Sequence, residues 1–403
     1  NDWIDGGNGN DQLFGGTGND TIVDSAGDDI IHGDTGDDSI FGGIGDDIIF
    51  GGDGNDYIET GASGALGDSA IGGLGNDIIK GGEGADTLEG NEGDDWLEGG
   101  LNGDGLVGDQ GAPTGDVPWI AGNDVLDGGA GGDRMQGFSG DDIMMGLGGF
   151  DKFEGRLGFD WADFENEVQG VSVDMNRREF IDTAPALGGD AIRDFFIETE
   201  GLSGSRFDDV LMGSNRNRLD PLFNELTNVD LIFGLGGGTL ANPNPNGFFA
   251  PGPVAFSDGN IILGGDGSDT IMGRDGNDII DGDAYLHVRL DGNGGAGSNI
   301  VREILFDTTP GDVDTAVYTG PLSNYVINLV PDAQGFITIS QITPNVGGGN
   351  VGGQDGTDRL RNIERIQFSD QTIVIDTGPG ANQLPTGHVT IDVGDTAAAA
   401  GID

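Results

Sequence analysis

The chain has 403 residues, 71 of them acidic against 16 basic, no cysteine, and a formal charge of −55. That balance excludes nucleic acid as a partner, because binding phosphates needs Lys and Arg; it also excludes disulfides and thiolate metal sites, and there is no run of about 18 apolar residues to span a membrane. Glycine, at 82 residues, is far above ordinary usage yet lacks the period of three that marks collagen. A chain this anionic repels itself into disorder unless cations join it, so multivalent cations are the expected partners.

The first tract is strictly periodic. Asp2, Asp11, Asp20, Asp29, Asp38, Asp47 and Asp56 recur at intervals of nine, and two places after each stands an aliphatic residue: Ile4, Leu13, Ile22, Ile31, Ile40, Ile49 and Ile58. The unit is G-G-x-G-x-D-x-U-x with U apolar, whose physical reading is a calcium-loaded parallel β-helix. The frame reappears at Asp77, Asp86, Asp95 and Asp104 after a jump of 21 residues, and at Asp124, Asp133, Asp142, Asp151 and Asp160 after a jump of 20. Both jumps predict surface loops let out of widened turns, with the helix continuing beneath; the second holds the proline-bearing segment 111–119. At Met135, Met144, Phe153 and Ala162 the apolar place drifts from Ile and Leu, which predicts a change of cross-section.

Over 164–203 the nonapeptide disappears and strand-like alternation takes its place around Val171 and Val173. One repeat returns at 204–212 with Asp209 and Leu211 in frame. Residues 216–226 suggest a short helix limited by Pro221, and 241–253 a proline-bearing loop. A second tract follows, with Asn260 where Asp is expected and Asp269 and Asp278 in spacing. Beyond Gly282 the segments 314–318, 325–329, 336–340 and 372–375 read as antiparallel or capping strands around the glycine-rich loop 347–353. This block echoes the one at 160–203, so two diverged copies of one module are expected to close two rolls and cover their open edges.

The expected architecture is thus all-β: a parallel β-roll in two tracts with β-rich capping modules. Its domains run 1–163 (main roll), 164–203 (capping insert), 204–290 (second tract), 291–376 (C-terminal cap) and 377–403 (linker and start of a further domain). Asn1 enters in mid-repeat, as a processed piece of a longer protein would.

Two nonapeptides make one coil, which predicts Asp11 stacked on Asp29 and Asp20 on Asp38, about 4.8 Å apart. Glycines admit the turn conformations with positive φ and bring backbone carbonyls close. An all-oxygen, flexible cage suits Ca2+ better than Mg2+, which holds its waters and demands an octahedron. Zinc would want Cys or His, and only three His exist. The candidate calcium ligands are the in-register acids Asp2, Asp11, Asp20, Asp29, Asp38, Asp47, Asp56, Asp77, Asp86, Asp95, Asp104, Asp124, Asp133, Asp142, Asp151, Asp160, Asp209, Asp269 and Asp278. Ordering a nonapeptide costs more than one inward side chain returns, so ion binding is expected to couple to folding.

These repeats resemble the RTX (repeats-in-toxin) proteins. The resemblance implies export from a Gram-negative bacterium by a type I system, calcium-triggered folding outside the cell, and no catalysis in this stretch. No C-terminal export signal is identifiable over 390–403, which fits a processed end. A finer similarity lies in the order of 122–129 (G-N-D-V-L-D-G-G), 158–162 (G-F-D-W-A), 204–211 (G-S-R-F-D-D-V-L), 259–265 (G-N-I-I-L-G-G) and 278–283 (D-I-I-D-G-D). It resembles the C-terminal region of large bacterial proteins with an animal-type haem peroxidase domain upstream. That similarity implies a secreted peroxidase parent, with haem only in the upstream domain; an adhesin or surface-layer scaffold, engaging other domains of its parent or cell-surface material, is the alternative.

Other patterns read blandly. Gly-x-Gly-x-x-Gly strings have no βαβ unit after them and reflect repeat composition. Residues 291–303 distantly match an EF-hand loop but carry Ala296 and Arg302 at its key places, so a loose loop is expected. His32 takes an outward place, and His287 and His388 lack a carboxylate partner at ligand spacing. Trp3, Trp96 and Trp161 occupy the outward place after their Asp, where they would serve as loop cover or a partner-binding face.

Overall fold

The computed structural model describes residues 1–62, 66–109, 122–176, 194–215, 229–236, 238–239, 242–244, 246–251, 256, 259–309, 311–342, 355–375 and 389–392. Among them the chain is all-β apart from one 3-10 turn, Leu322–Asn324. The expected helix at 216–226, the loops 111–119 and 347–353, and His388 lie outside the described residues, as do residues 241, 245, 252 and 253 of the expected loop 241–253.

The nonapeptide winds as foreseen. Alternate strands fall into two parallel sheets: Trp3–Asp5, Thr21–Val23, Ser39–Ile44 and Tyr57–Ala62 begin one, while Gln12–Thr17, Ile30–Thr35 and Ile48–Asp53 begin the other. Register is set by the apolar place: Ile22 pairs with Ile40, Ile40 with Ile58, and Ile31 with Ile49. A one-residue slip would turn every one of these side chains out of the lumen. Between the sheets lie two files of inward residues, Ile22, Ile40, Ile58, Ile79 and Leu97 from the first sheet and Ile31, Ile49 and Leu88 from the second, all fully buried. Most strands here are six residues long, because the ladder continues into the glycine pairs, where Gly43 pairs with Gly61. Stacked turns come too close there for a side chain: a Cβ on Gly45, which has φ 153°, would sit 1.6 Å from the Gly27 carbonyl oxygen.

The two jumps are bulged coils over an unbroken ladder. Ile48–Asp53 pairs directly with Ser69–Leu74, and Trp96–Leu101 with Val125–Ala130. The roll changes section beyond Phe153, which still pairs regularly with Met135 and Phe196. The nine-stranded second sheet ends on Phe195–Ile197, and a seven-stranded third sheet starts on Ser172–Asp174. The first sheet runs on to fifteen strands, with Trp161–Asp163, Gly201–Ser203, Ile261–Leu263 and Ile279–Asp281 as successive rungs.

Residues 161–163 and 201–203, which the echo between the two blocks suggested would close a first roll, are therefore interior rungs. Likewise Thr315–Val317 is a parallel rung of the third sheet. An inward apolar residue two places after an acid suffices for this, with or without the glycines. Within the sheets of the roll itself, antiparallel pairing among the described residues comes only at the end: Ile337–Gln341 and Tyr325–Asn328 cover the edge of Thr357–Arg361, and Thr372–Ile375 covers Arg365–Gln367.

A second apolar layer lies outside the roll. A hairpin, Ala284–Leu290 with Ile300–Phe306, and parts of 229–256 lie on the outer face of the first sheet. They bury Tyr57, Ile78, Trp96, Val125, Ile143, Trp161, Ile261 and Ile279, all at the place directly after the in-register residue. Arg361 anchors this layer, bonded to Asp281 and stacked over Phe248 and Phe336 at 4.5 Å each. Trp96 and Trp161 are covered by this layer, in keeping with loop cover and not with a partner-binding face, and of the three tryptophans only Trp3 is exposed. The hairpin also replaces the loose loop at 291–303 with its tip and part of its second strand.

Candidate metal centre

Each turn delivers its in-register acid to the gap between two coils. The backbone N–H of Asp11 donates to Oδ1 of Asp29 at 2.7 Å, that of Asp29 to Asp47 at 2.9 Å, and that of Asp20 to Asp38 at 2.7 Å. The stacks foreseen for Asp11 on Asp29 and Asp20 on Asp38 are thus present, as direct hydrogen bonds. One ladder joins Asp2, Asp20, Asp38, Asp56, Asp77, Asp95, Asp124, Asp142 and Asp160, then passes to Glu200. The other joins Asp11, Asp29, Asp47, Asp68, Asp86, Asp104, Asp133, Asp151 and Asp194. Farther along, Asp209, Asp269, Asp314 and Glu364 form a third, and Asn260, Asp278 and Asp358 extend the first. Every in-register acid read from the sequence lies on one of these ladders, although Asp2, on the outermost coil, is exposed.

Six ladder acids escaped the count by nines: Asp68, Asp194, Glu200, Asp314, Asp358 and Glu364. Asp68 was nine places before Asp77 and hidden by the bulge. The others lack the full glycine set, Asp358 keeping Gly353 and Gly356 of it, yet each keeps an apolar residue two places on, namely Phe196, Leu202, Ala316, Leu360 and Ile366. The pattern acid-x-apolar, freed from fixed spacing, would have found them.

What the ladder leaves over points to a cation. Oδ1 is satisfied by a backbone donor, whereas Oδ2 of Asp29, Asp38, Asp47, Asp56, Asp77, Asp86, Asp95 and Asp104 is buried and receives no hydrogen bond. These oxygens face the first glycine of their own turn: a Cβ on Gly33 would sit 2.5 Å from Oδ2 of Asp38, and on Gly72 2.2 Å from that of Asp77. An uncompensated buried anion costs several kcal/mol in proteins. Burial accordingly pushes the carboxyls of Asp47, Asp56, Asp104 and Asp133 up to about 7 and that of Asp77 up to about 8. Burial and the neighbouring carboxylates hold Asp124, Asp142 and Asp278 well above the usual carboxylate range too. An all-oxygen donor set rich in carboxylates, with a naked oxygen in turn after turn, fits a hard divalent ion.

Not every rung has this demand. Asp209 accepts from Val171 N–H at 2.7 Å and from Ser205 through both its N–H and its hydroxyl. Asn260 donates its amide to the Glu200 carbonyl at 3.0 Å and accepts from Ser214. Asp358 accepts from the Tyr318 hydroxyl at 2.9 Å.

The family model of the RTX calcium-binding nonapeptide repeat matches residues 1–22, 23–58, 68–111, 120–153 and 254–284. These are RTX repeats. The matched segments contain all the sequence-read acids except Asp160 and Asp209. No curated protein matches the chain. The RTX frame thus accounts for the β-roll and for calcium as its ion. Among the described residues no helix is long and apolar enough to cross a membrane.

His32 and His287 lie off the acid ladders. His32 lies between Phe14 and Phe50, with ring centroids 5.0 and 4.7 Å away. His287, expected to lack a carboxylate, contacts the buried Glu165 through Nδ1 at 2.7 Å, and Arg206 meets the same carboxylate at 2.8 Å. Glu165 is 122 residues from His287, beyond any local spacing rule.

Proposed function

We propose that these 403 residues are a non-catalytic calcium-binding region whose roll is held together by Ca2+ between successive turns. Its ligands would be the ladder acids with an unpaired Oδ2, together with the glycine carbonyls stacked against them. One observation carries this: a row of buried carboxylate oxygens, aimed at glycines, with no protein donor. Calcium supplies the countercharge they lack. Asp209 and Asn260 take their partners from protein and stand outside the ligand set.

In this reading the chain folds where calcium is millimolar. It belongs to a protein exported from a Gram-negative bacterium by a type I system and acting outside the cell, where it spaces and displays other parts of its parent. The test is a calcium titration of the chain followed by circular dichroism. Folding should appear with calcium and vanish with excess EGTA; full β content in chelator would sink the proposal. A haem peroxidase parent is the second reading, carried by the order of segments between 122 and 283. A Soret band in the intact parent tests it.

A further inference from the structure

One turn of the first tract breaks the repeat. Residues 24–29 read D-S-A-G-D-D, so Asp24 stands where the stacked turns on either side carry Gly6 and Gly42. Its side chain folds inward. Oδ1 accepts from the Ala26 N–H at 3.0 Å, and Oδ2 is buried without a donor, the residue being 4% exposed. Asp29, 1% exposed, has its own Oδ2 in the same condition, and so has Asp11 on the preceding coil. One oxygen from each of Asp11, Asp24 and Asp29 lies within 4.8 Å of the others. Among the described residues no other three acids converge in this way.

The room for Asp24 is made by Gly6, where a Cβ would fall 2.0 Å from Oδ2 of Asp24. Calcium holds oxygens at about 2.3–2.6 Å, so oxygens on opposite sides of one ion stand roughly 4.6–5.2 Å apart. One carboxylate oxygen from each of the three residues lies within that span, the spacing expected of ligands around a single ion. The neighbouring turns carry glycine at the same position, as at Gly33 and Gly51, and Thr60, which takes that place farther up the column, donates its hydroxyl to the Gly81 carbonyl and adds no charge; the gap between those turns holds two ladder acids.

We propose that Asp11, Asp24 and Asp29 form a three-carboxylate cation site that binds Ca2+ more tightly than the two-carboxylate gaps and favours trivalent ions over divalent ones. Affinity in all-oxygen sites follows the number of charged ligands, and a third carboxylate leaves net negative charge around a divalent ion. The inference rests on the calcium reading above and adds a rank order to it.

The experiment is equilibrium dialysis of the full chain against Ca2+, then competition with La3+, for wild type, Asp24→Gly and Asp24→Asn. The first variant restores the repeat glycine; the second keeps shape and removes charge. Asp53→Asn, which removes an exposed acid, is the control. Wild type should show a tightest class of about one ion per chain, weakened about 10- to 100-fold in both Asp24 variants and unchanged in the control. La3+ should displace that ion first. A tightest class that survives both Asp24 variants overturns the site while leaving the calcium reading intact, whereas a wild type that binds no Ca2+ overturns both.

Discussion

Asp38 donates its backbone N–H to Oδ1 of Asp56, 18 residues on and 2.8 Å away, while Oδ2 of Asp56 receives nothing. The first oxygen ties two coils together as an ordinary hydrogen bond does; the second creates a charge deficit at the same place. Structure and ion demand therefore come from one side chain, which is why the repeat cannot dispense with the acid.

The exception shows what relieves that demand. Asn260 meets its neighbours with an amide donor in place of a charge. Asn260→Asp should leave a buried carboxylate beside the Glu200 carbonyl. At limiting calcium it should lower stability by about 1–3 kcal/mol, the cost of an unsatisfied buried polar group, and saturating calcium should recover part of the loss. Thermal melts at limiting and at saturating calcium check this.

Acid should have opposite effects with and without calcium. Asp47, Asp56 and Asp77 carry folded-state values raised from 3.8 to about 7, 7 and 8, so the folded chain binds protons more tightly than the unfolded one. Their contribution to stability is fully present below the unfolded value and is lost as pH rises through about 7 to 8. The calcium-free chain should be better folded at pH 5 than at pH 8.5. With calcium present, protons compete for the same oxygens, and the half-saturating concentration should rise as pH falls. Circular dichroism at the two pH values, in EGTA and in calcium, reads both.

Gly45→Ala places a methyl group against the Gly27 carbonyl in a backbone conformation that side chains rarely adopt. We expect a loss of about 2 kcal/mol or more, seen as a higher calcium midpoint for folding.

Trp161→Ala removes the largest buried side chain beneath the outer layer. A loss of about 3–5 kcal/mol is expected, and limited proteolysis should cut within 284–306 before it cuts the first tract.

The roll itself was legible because each nonapeptide restates the same instruction: Ile22, Ile31 and Ile40 face the lumen whatever lies elsewhere in the chain. The ladder through Asp11, Asp29 and Asp47 followed from the same period. Asp194, Asp314 and Glu364 were harder to see, since loops of unequal length separate them and only the apolar residue two places on marks them. The outer layer was not legible. Tyr57, Ile78 and Trp96 sit at places that face away from the lumen, and nothing local says that a hairpin from 284–306 covers them. Asp24 stood in plain view as a departure from glycine, but its meaning depends on Asp11 lying one coil away.

The hairpin alters how such a body comes apart. A solenoid whose coils touch only their neighbours can unzip from either end, one coil at a time. Here Arg302 reaches the Asn123 carbonyl, Leu286 bonds the Ser203 hydroxyl, and His287 grips Glu165, so rungs far apart in the chain share one splint. Under tension the stretch from Trp96 to Ile279 should yield as a block at a single force, with the coils ahead of Tyr57 peeling away earlier and gradually.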